Sequence, residues 1–510
     1  MKRASGVLMH ISSLPNEYGI GSFGKSAYKF VDFLRETKQT YWQILPLTTT
    51  SYGDSPYQSF SAFAGNTHFI DLPKLVEKGY LDFSNIEHVD FGDDPTDVNY
   101  EKIFYNRRPI LEKAVSSFLQ MHGHSDVYQA FIQHHADWLV PFAEFMSIKE
   151  VNDNKSWTEW DDNIKYRDAD TLEHYRHSLQ DRINYHFVTQ FFFNQQWMEL
   201  KSYANSNNIS IIGDLPIYVS LDSVEMWQTP HLFKVDENLV PLTVSGTPPD
   251  NFSDEGQYWG NPIYNWEYMD DNNYDWWKRR LEANFELYDY VRIDHFKGFE
   301  SFWEVPFGAE SAAAGKWTKG PGMKLFDAIK EDLGDLQIIA EDLGFLTKDV
   351  EQLLEDSGYP GMRILQFGFN GYEDSRDLPH HFKPHSIAYV GTHDNMTALG
   401  WYKDDASQSQ RDQMDQYLMR RLGESPAQAL NRGIAQSPAN TAIYTMQDLL
   451  GLDNDARMNE PNTIGINWRW RMKKDDITVD VKERLLDLTQ TYFREYAAEE
   501  VETHIEVDEY

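Results

Sequence analysis

The sequence predicts an α/β fold closed into a (β/α)8 TIM barrel, and three observations carry that reading. Eight short apolar runs bounded by turn residues have the look of buried parallel strands. Patterns with helical spacing separate several of them. Carboxylates gather at the C-terminal ends of four of the runs, the end at which such barrels place their chemistry.

The runs are "GVLMHI" (6–11), "YWQILPL" (41–47), "ISIIGDLPIYV" (209–219), "YVRID" (290–294), "LQIIAE" (336–341), "RILQFGF" (363–369), "SIAYVGT" (386–392) and "TAIYTM" (441–446). After the first, Ala27, Phe30, Val31 and Leu34 recur at helical spacing. After the fifth, Val350, Leu353 and Leu354 do so before Gly358 and Pro360. Segments 274–288 and 410–422 read as further helices. Eight strands alternating with helices find their natural closure in a barrel.

Two connections are too long for simple crossovers. Residues 73–208 contain "RRPILEKAVSSFLQMHG", "VYQAFIQHHADWLVPFAEFMSIKEV" and "YHFVTQFFFNQQWMELKSYA", all helical in period, so a mostly helical insertion ending in a crossover helix is expected. Residues 220–273 are rich in Gly, Pro, Asn and Asp with interleaved Trp and Tyr, and 246–262 within them reads as an ordered binding loop. Residues 1–510 thus form one elaborated barrel domain, closed by an amphipathic helix in "VDVKERLLDLTQTYFREYAAEE" and followed by a solvated acidic tail.

Composition narrows the partners. Lys plus Arg is 46 against 81 Asp plus Glu, and a net charge of -35 argues against a nucleic-acid backbone, which selects basic surfaces. The absence of cysteine removes disulfides, thiolate nucleophiles and cysteine metal sites, and suits a reducing cytoplasm. The early run "GVLM" is cut short by His10, two serines and Pro15, too soon for a secretory signal, and no apolar stretch reaches the roughly 20 residues of a membrane helix. A cytoplasmic chain without a membrane partner is expected. Its 15 Trp and 29 Tyr fit either large aromatic cores or stacking on the flat faces of sugars or bases.

The third run ends near Asp214, the fourth in Arg292 and Asp294, the fifth in Glu341 and Asp342, and the seventh in His393 and Asp394. A buried carboxylate is costly unless paired, and Arg292 is the natural partner of Asp294. Four carboxylates around one mouth repel unless a cation or a substrate offsets them. One answer is a metal held by His295, His393 and Asp394. The other is a pair of carboxylates about 5 Å apart flanking a sugar bond, as in retaining glycosidases. The aromatic excess and the Trp-rich loop favour the sugar.

Several strings in order resemble the 4-alpha-glucanotransferases of glycoside hydrolase family 77, the amylomaltases or disproportionating enzymes related to α-amylases. They are "HISSLPNEYGIGSFG" (10–24), "DSPYQSFSAFAGN" (54–66), "GDLPIYV" (213–219), "GTPPDNFSDEGQYWGNP" (246–262), "VRIDHFKGF", "AEDLG", "THDN" and "NWRWRM" (467–472). The resemblance spans nearly the whole chain. It implies a barrel with inserted subdomains and no separate C-terminal β-domain, the absence of any cofactor or metal, and a retaining transfer of α-1,4-glucan segments among maltooligosaccharides, amylose and glucose. It also implies Asp294 as nucleophile, Glu341 as acid/base and Asp394 as transition-state stabiliser.

Around these, the resemblance implies that Arg292 orients the nucleophile, that His393 binds a sugar hydroxyl, that Asp214 lies near the bound glucose, and that Ser55 and Asn395 belong to the substrate-binding set. Tyr57 is implied as a donor-side stacking platform, and Trp259 as part of an acceptor-side loop shaped by Gly246, Pro248 and Asp250. Glu341, as a general acid, should have a raised pKa, held up by its neighbouring carboxylates. One departure is local: Asn462 and Ile466 stand where the family pattern suggests smaller residues, which bears on the geometry of that loop. An α-glucan hydrolase and a catalytically dead glucan-binding scaffold are the other readings, the latter disfavoured because all three carboxylates are present.

Overall fold

The computed structural model describes residues 2–51, 53–249, 255–344 and 346–495. Its strands in chain order are β1 (Ala4–Leu8), β2 (Tyr41–Gln43), β3 (Ser210–Pro216), β4 (Thr243–Thr247), β5 (Gln257–Pro262), β6 (Tyr290–Asp294), β7 (Ser301–Pro306), β8 (Lys316–Lys319), β9 (Ile338–Ala340), β10 (Gly361–Ile364), β11 (Ser386–Tyr389) and β12 (Thr441–Thr445). Eight of them, β1, β2, β3, β6, β9, β10, β11 and β12, close into a barrel in chain order. Every neighbouring pair in it is parallel.

These eight strands come from the eight apolar runs. Six of them are buried at every position, which is why they read as continuous apolar stretches and not as alternating ones. The helix Lys25–Glu36 buries Ala27, Phe30, Val31 and Leu34 against the barrel. The helix Lys348–Ser357 starts on Thr347, whose side chain accepts the Val350 N–H, and stops at Gly358, whose φ of 69° disfavours any residue with a Cβ.

Local differences have local causes. The run 363–369 does not stay extended: β10 ends at Ile364, whose N–H goes to Asp377 Oδ1 at 3.0 Å, and a helical turn, Leu365–Gly368, follows. Segment 127–151, helical in period, forms two helices that meet at His135, Asp126–His134 and Ala136–Val151. Segment 410–422 contributes the helix Gln408–Tyr417, and a second helix, Pro426–Gln436, follows it. The closing helix is Val479–Thr491, and the acidic tail lies outside the described residues.

Between β2 and β3 the chain is mainly helical, from Tyr100–His122 to the long crossover helix Gln180–Ser206. Between β3 and β6 it holds β4 and β5. These join β7 and β8 in an antiparallel sheet of order β5-β4-β7-β8. Two strands of this sheet therefore come from after β6, beyond the 220–273 segment. Among the described residues no helix is long and apolar enough to cross a membrane.

Candidate active site

The C-terminal ends of β3, β6, β9 and β11 open into a cleft of about 2370 Å³ that runs onto the helical segment between β2 and β3. Asp294, Glu341, Asp394, Arg292, His393, Tyr57, Trp259, Ser55 and Asn395 all line it. The strand register sets the centre. Asp214 of β3 lies opposite Arg292 of β6, and Pro216 opposite Asp294.

Arg292 is only 3 % exposed and serves two carboxylates. Its Nη1 donates to Asp214 Oδ1 and Oδ2 at 2.8 and 2.7 Å, and its Nη2 stands 3.1 Å from Asp294 Oδ1. The sequence pairs Arg292 with Asp294, two residues along the same strand; its shorter bonds go to Asp214. Asp214 is buried, accepts the Tyr57 hydroxyl at 2.9 Å, and is not among the residues that line the cleft, to which Tyr57 and Arg292 connect it. Burial pushes the Asp214 carboxyl up while Arg292 pulls it down. The guanidinium is pushed well above its ordinary value by Asp214 and Asp294, against its burial, and so stays charged.

At the end of β6 the chain makes a sharp turn. His295 adopts a left-handed backbone (φ 55°), a strained conformation for a non-glycine residue. That turn aims its N–H at Glu341 Oε2, 2.7 Å away, while the Leu343 N–H reaches Glu341 Oε1 at 2.8 Å. The Glu341 backbone is tied to β6 as well, through its N–H to Ile293 O. The carboxyl of Glu341 is raised to about 7. Burial is the first cause and the Asp294 carboxylate a further one, outweighing Arg292 and the two backbone donors. The sequence expectation of a raised value holds, with desolvation ahead of the neighbouring charge.

Of the two carboxylates in "AEDLG" only Glu341 lines the cleft. Asp342 is fully buried against β10, accepting from Met362 N at 2.6 Å and Arg363 Nη1 at 3.0 Å. At β11, Asp394 is held by groups that sequence reading missed: Asn459 Nδ2 donates to its Oδ1 at 2.7 Å and Arg457 Nη2 to its carbonyl at 2.8 Å. Both sit in the irregular stretch after β12, where no periodicity marks them. His393 Nε2 lies 3.3 Å from Asp394 Oδ2, and the Tyr57 ring stacks on His393 with centroids 5.2 Å apart.

Asn395 lends its Oδ1 to the Thr392 N–H at 2.8 Å, so that oxygen shapes the turn; Ser55 Oγ accepts the Tyr57 N–H at 3.2 Å. Trp259 projects from β5 and meets the His295 ring edge-on at 4.9 Å. Gly246 and Pro248 are not among the cleft-lining residues. Gly246 sits in β4 where a Cβ would come 2.4 Å from Gln257 O, so it serves the β4–β5 pairing, and Asp250 lies outside the described residues. Asn462 takes a left-handed backbone (φ 67°), which asparagine tolerates better than most residues, and Ile466 points largely to solvent.

The alternative metal trio does not assemble. Among the described residues the one group of three such side chains with ligand atoms within 4.8 Å of one another is His134, His135 and Glu286, none of which lines the cleft, and His295, His393 and Asp394 form no such group.

The chain has counterparts among known proteins. A family model described as 4-alpha-glucanotransferase matches residues 9–478. A 4-alpha-glucanotransferase of Streptococcus pneumoniae serotype 4 is 58 % identical over 97 % of this chain and 98 % of its own length. One from Clostridium butyricum is 46 % identical over 95 % of this chain and 100 % of its own. The solved amylomaltase of Streptococcus agalactiae in complex with acarbose superposes with a TM-score of 0.95 at 50 % identity, covering 97 % of this chain and 100 % of that one. The chain belongs to the glycoside hydrolase 77 family of 4-alpha-glucanotransferases.

Proposed function

We propose that the chain transfers α-1,4-glucan segments from maltooligosaccharides or amylose to the 4-hydroxyl of glucose or another glucan, with retention, in the cytoplasm. The observation that carries this reading is the pairing of Asp294 and Glu341 at the C-terminal ends of adjacent strands, β6 and β9. One carboxylate is anchored by Arg292 and the other is buried and raised to about 7. A carboxylate held by a guanidinium beside a carboxyl raised by burial suits one nucleophile and one acid.

In the first step Asp294 attacks the anomeric carbon as the glycosidic bond breaks, and Glu341 gives its proton to the departing oxygen. A covalent glycosyl-enzyme results, and the released chain leaves with that proton. In the second step the 4-hydroxyl of an acceptor attacks the same carbon, returning a proton to Glu341 and freeing Asp294. Asp394 and His393 bind hydroxyls of the flattened sugar, where contacts tighten as positive charge develops. Tyr57 offers an aromatic face on the donor side. Trp259, standing against His295 beside Asp294, shields the intermediate on the acceptor side and disfavours water.

Maltotriose incubated alone separates transfer from hydrolysis. Transfer yields glucose and a ladder of longer chains while total reducing ends stay constant. A rise in reducing ends that tracks glucose release would make the chain a hydrolase.

A further inference from the structure

Asp394 sits in the turn Thr392–Thr397, and this turn is held at several points. Arg457 and Asn459 grip Asp394 itself, and Gln366 Nε2 donates to Met396 O at 3.0 Å. The far end is held by a residue with no part in the chemistry above. Asp448, in the short helix Met446–Leu450 just past β12, accepts the Ala398 N–H on Oδ1 at 2.7 Å.

Asp448 is 3 % exposed and makes no ion pair among the described residues. A buried carboxylate without a cation partner is costly, so its hydrogen bonds carry the burden. Burial pushes its carboxyl up to about 6, and the hydrogen bonds to Ala398 and Thr445 pull it down. At neutral pH it remains a charge-assisted acceptor for the Ala398 N–H.

A second observation points the same way. His393 is 5 % exposed, and its Nδ1 is buried with no partner. His393 and Asp448 both line a small cavity of about 20 Å³, together with His10, Thr392, Gln447 and Arg457 and with apolar side chains such as Met458 and Trp470. That space has room for one water molecule, and the His393 Nδ1 and the Asp448 carboxylate are among the polar groups at its wall. His10, His393 and Arg457 are the other titratable groups facing this cavity. The His10 ring is committed to the Leu45 N–H through Nδ1 at 3.2 Å and is kept neutral by burial.

We propose that Asp448 is a positioning residue for Asp394 and His393, anchoring the Thr392–Thr397 turn through the Ala398 N–H and sharing with His393 a cavity that has room for one water. This rests on the reading of Asp394 as the carboxylate that stabilises the transition state. Losing the anchor lets the turn drift, and drift costs transition-state binding more than ground-state binding.

The test is kcat and KM for maltotriose in Asp448→Ala, Asp448→Asn and Ala398→Pro, each with its thermal midpoint. Ala398→Pro deletes the donor from the other side: it falls at the first position of the helix Ala398–Gly400, where proline is tolerated, after Thr397 in an extended conformation. Asp448→Ala and Ala398→Pro should each lower kcat by about ten- to a hundredfold with KM within about threefold. Asp448→Asn, which keeps the accepting oxygen, should recover most of that loss. In an Asp394→Asn background Asp448→Ala should cost much less than it does with Asp394 intact, since most of its effect passes through Asp394. Parental kcat in both Asp448→Ala and Ala398→Pro, or the same fold-loss with Asp394 intact and replaced, overturns the proposal. Parental kcat in Asp394→Asn alone would instead remove the reading of Asp394, and the proposal with it.

Discussion

Asp294→Asn should lower kcat by roughly four orders of magnitude or more while leaving the fold and maltooligosaccharide affinity near the parent's. Asparagine fills nearly the same space, so the barrel mouth should keep its shape. What disappears is the attacking oxygen. Arg292 keeps its two bonds to Asp214, so the buried guanidinium is still paired and no severe loss of stability follows. Calorimetry with a maltooligosaccharide checks binding, and turnover of maltotriose checks chemistry. Activity within tenfold of the parent would place the nucleophile elsewhere.

Glu341→Gln should be nearly as damaging with natural glucans but not with every donor. A glycosidic oxygen needs a proton to leave, whereas fluoride does not, so glycosylation by an α-maltosyl fluoride should persist. The pH profile adds an independent readout. Glu341 must be protonated at the first step and its carboxyl lies near 7, so kcat/KM for natural donors should fall about tenfold per unit as pH rises above that value. With the fluoride donor and Glu341→Gln that limb should be absent from the glycosylation rate. Equal losses on both donors, or an alkaline limb that survives the substitution, would deny Glu341 the acid role.

The barrel was legible because its strands are buried on both faces. A run such as "SIAYVGT" or "TAIYTM" carries its burial in plain composition, and β11 and β12 lie within those runs. The β5-β4-β7-β8 sheet left no such trace: β8 is "KWTK", mostly exposed, and β4 carries a glycine whose reason is a close carbonyl on the neighbouring strand. Charges at strand ends marked the site for the same reason the strands were visible. A carboxylate that interrupts an apolar run stands out.

What stayed hidden are relations between distant segments. The sequence pairs Arg292 with Asp294 because they lie two residues apart on one strand, yet its shortest bonds cross to β3. Asn459 and Asp448 reach Asp394 and its turn from 65 and 50 residues away, measured from Asp394 and Ala398 respectively, and no local pattern encodes those meetings. Asp342, one residue from Glu341, looked equally chemical. Its neighbours on β10 make it structural.

The central claim is a covalent glycosyl-enzyme on Asp294, and it can be weighed directly. Glu341→Gln incubated with α-maltosyl fluoride should load the first step and then stall, because no base remains to activate the acceptor. Intact-protein mass spectrometry should show one added maltosyl group, and peptide mapping should place it on Asp294. A protein that consumes the fluoride donor without ever carrying the sugar, or one that carries it on a residue other than Asp294, would contradict the account.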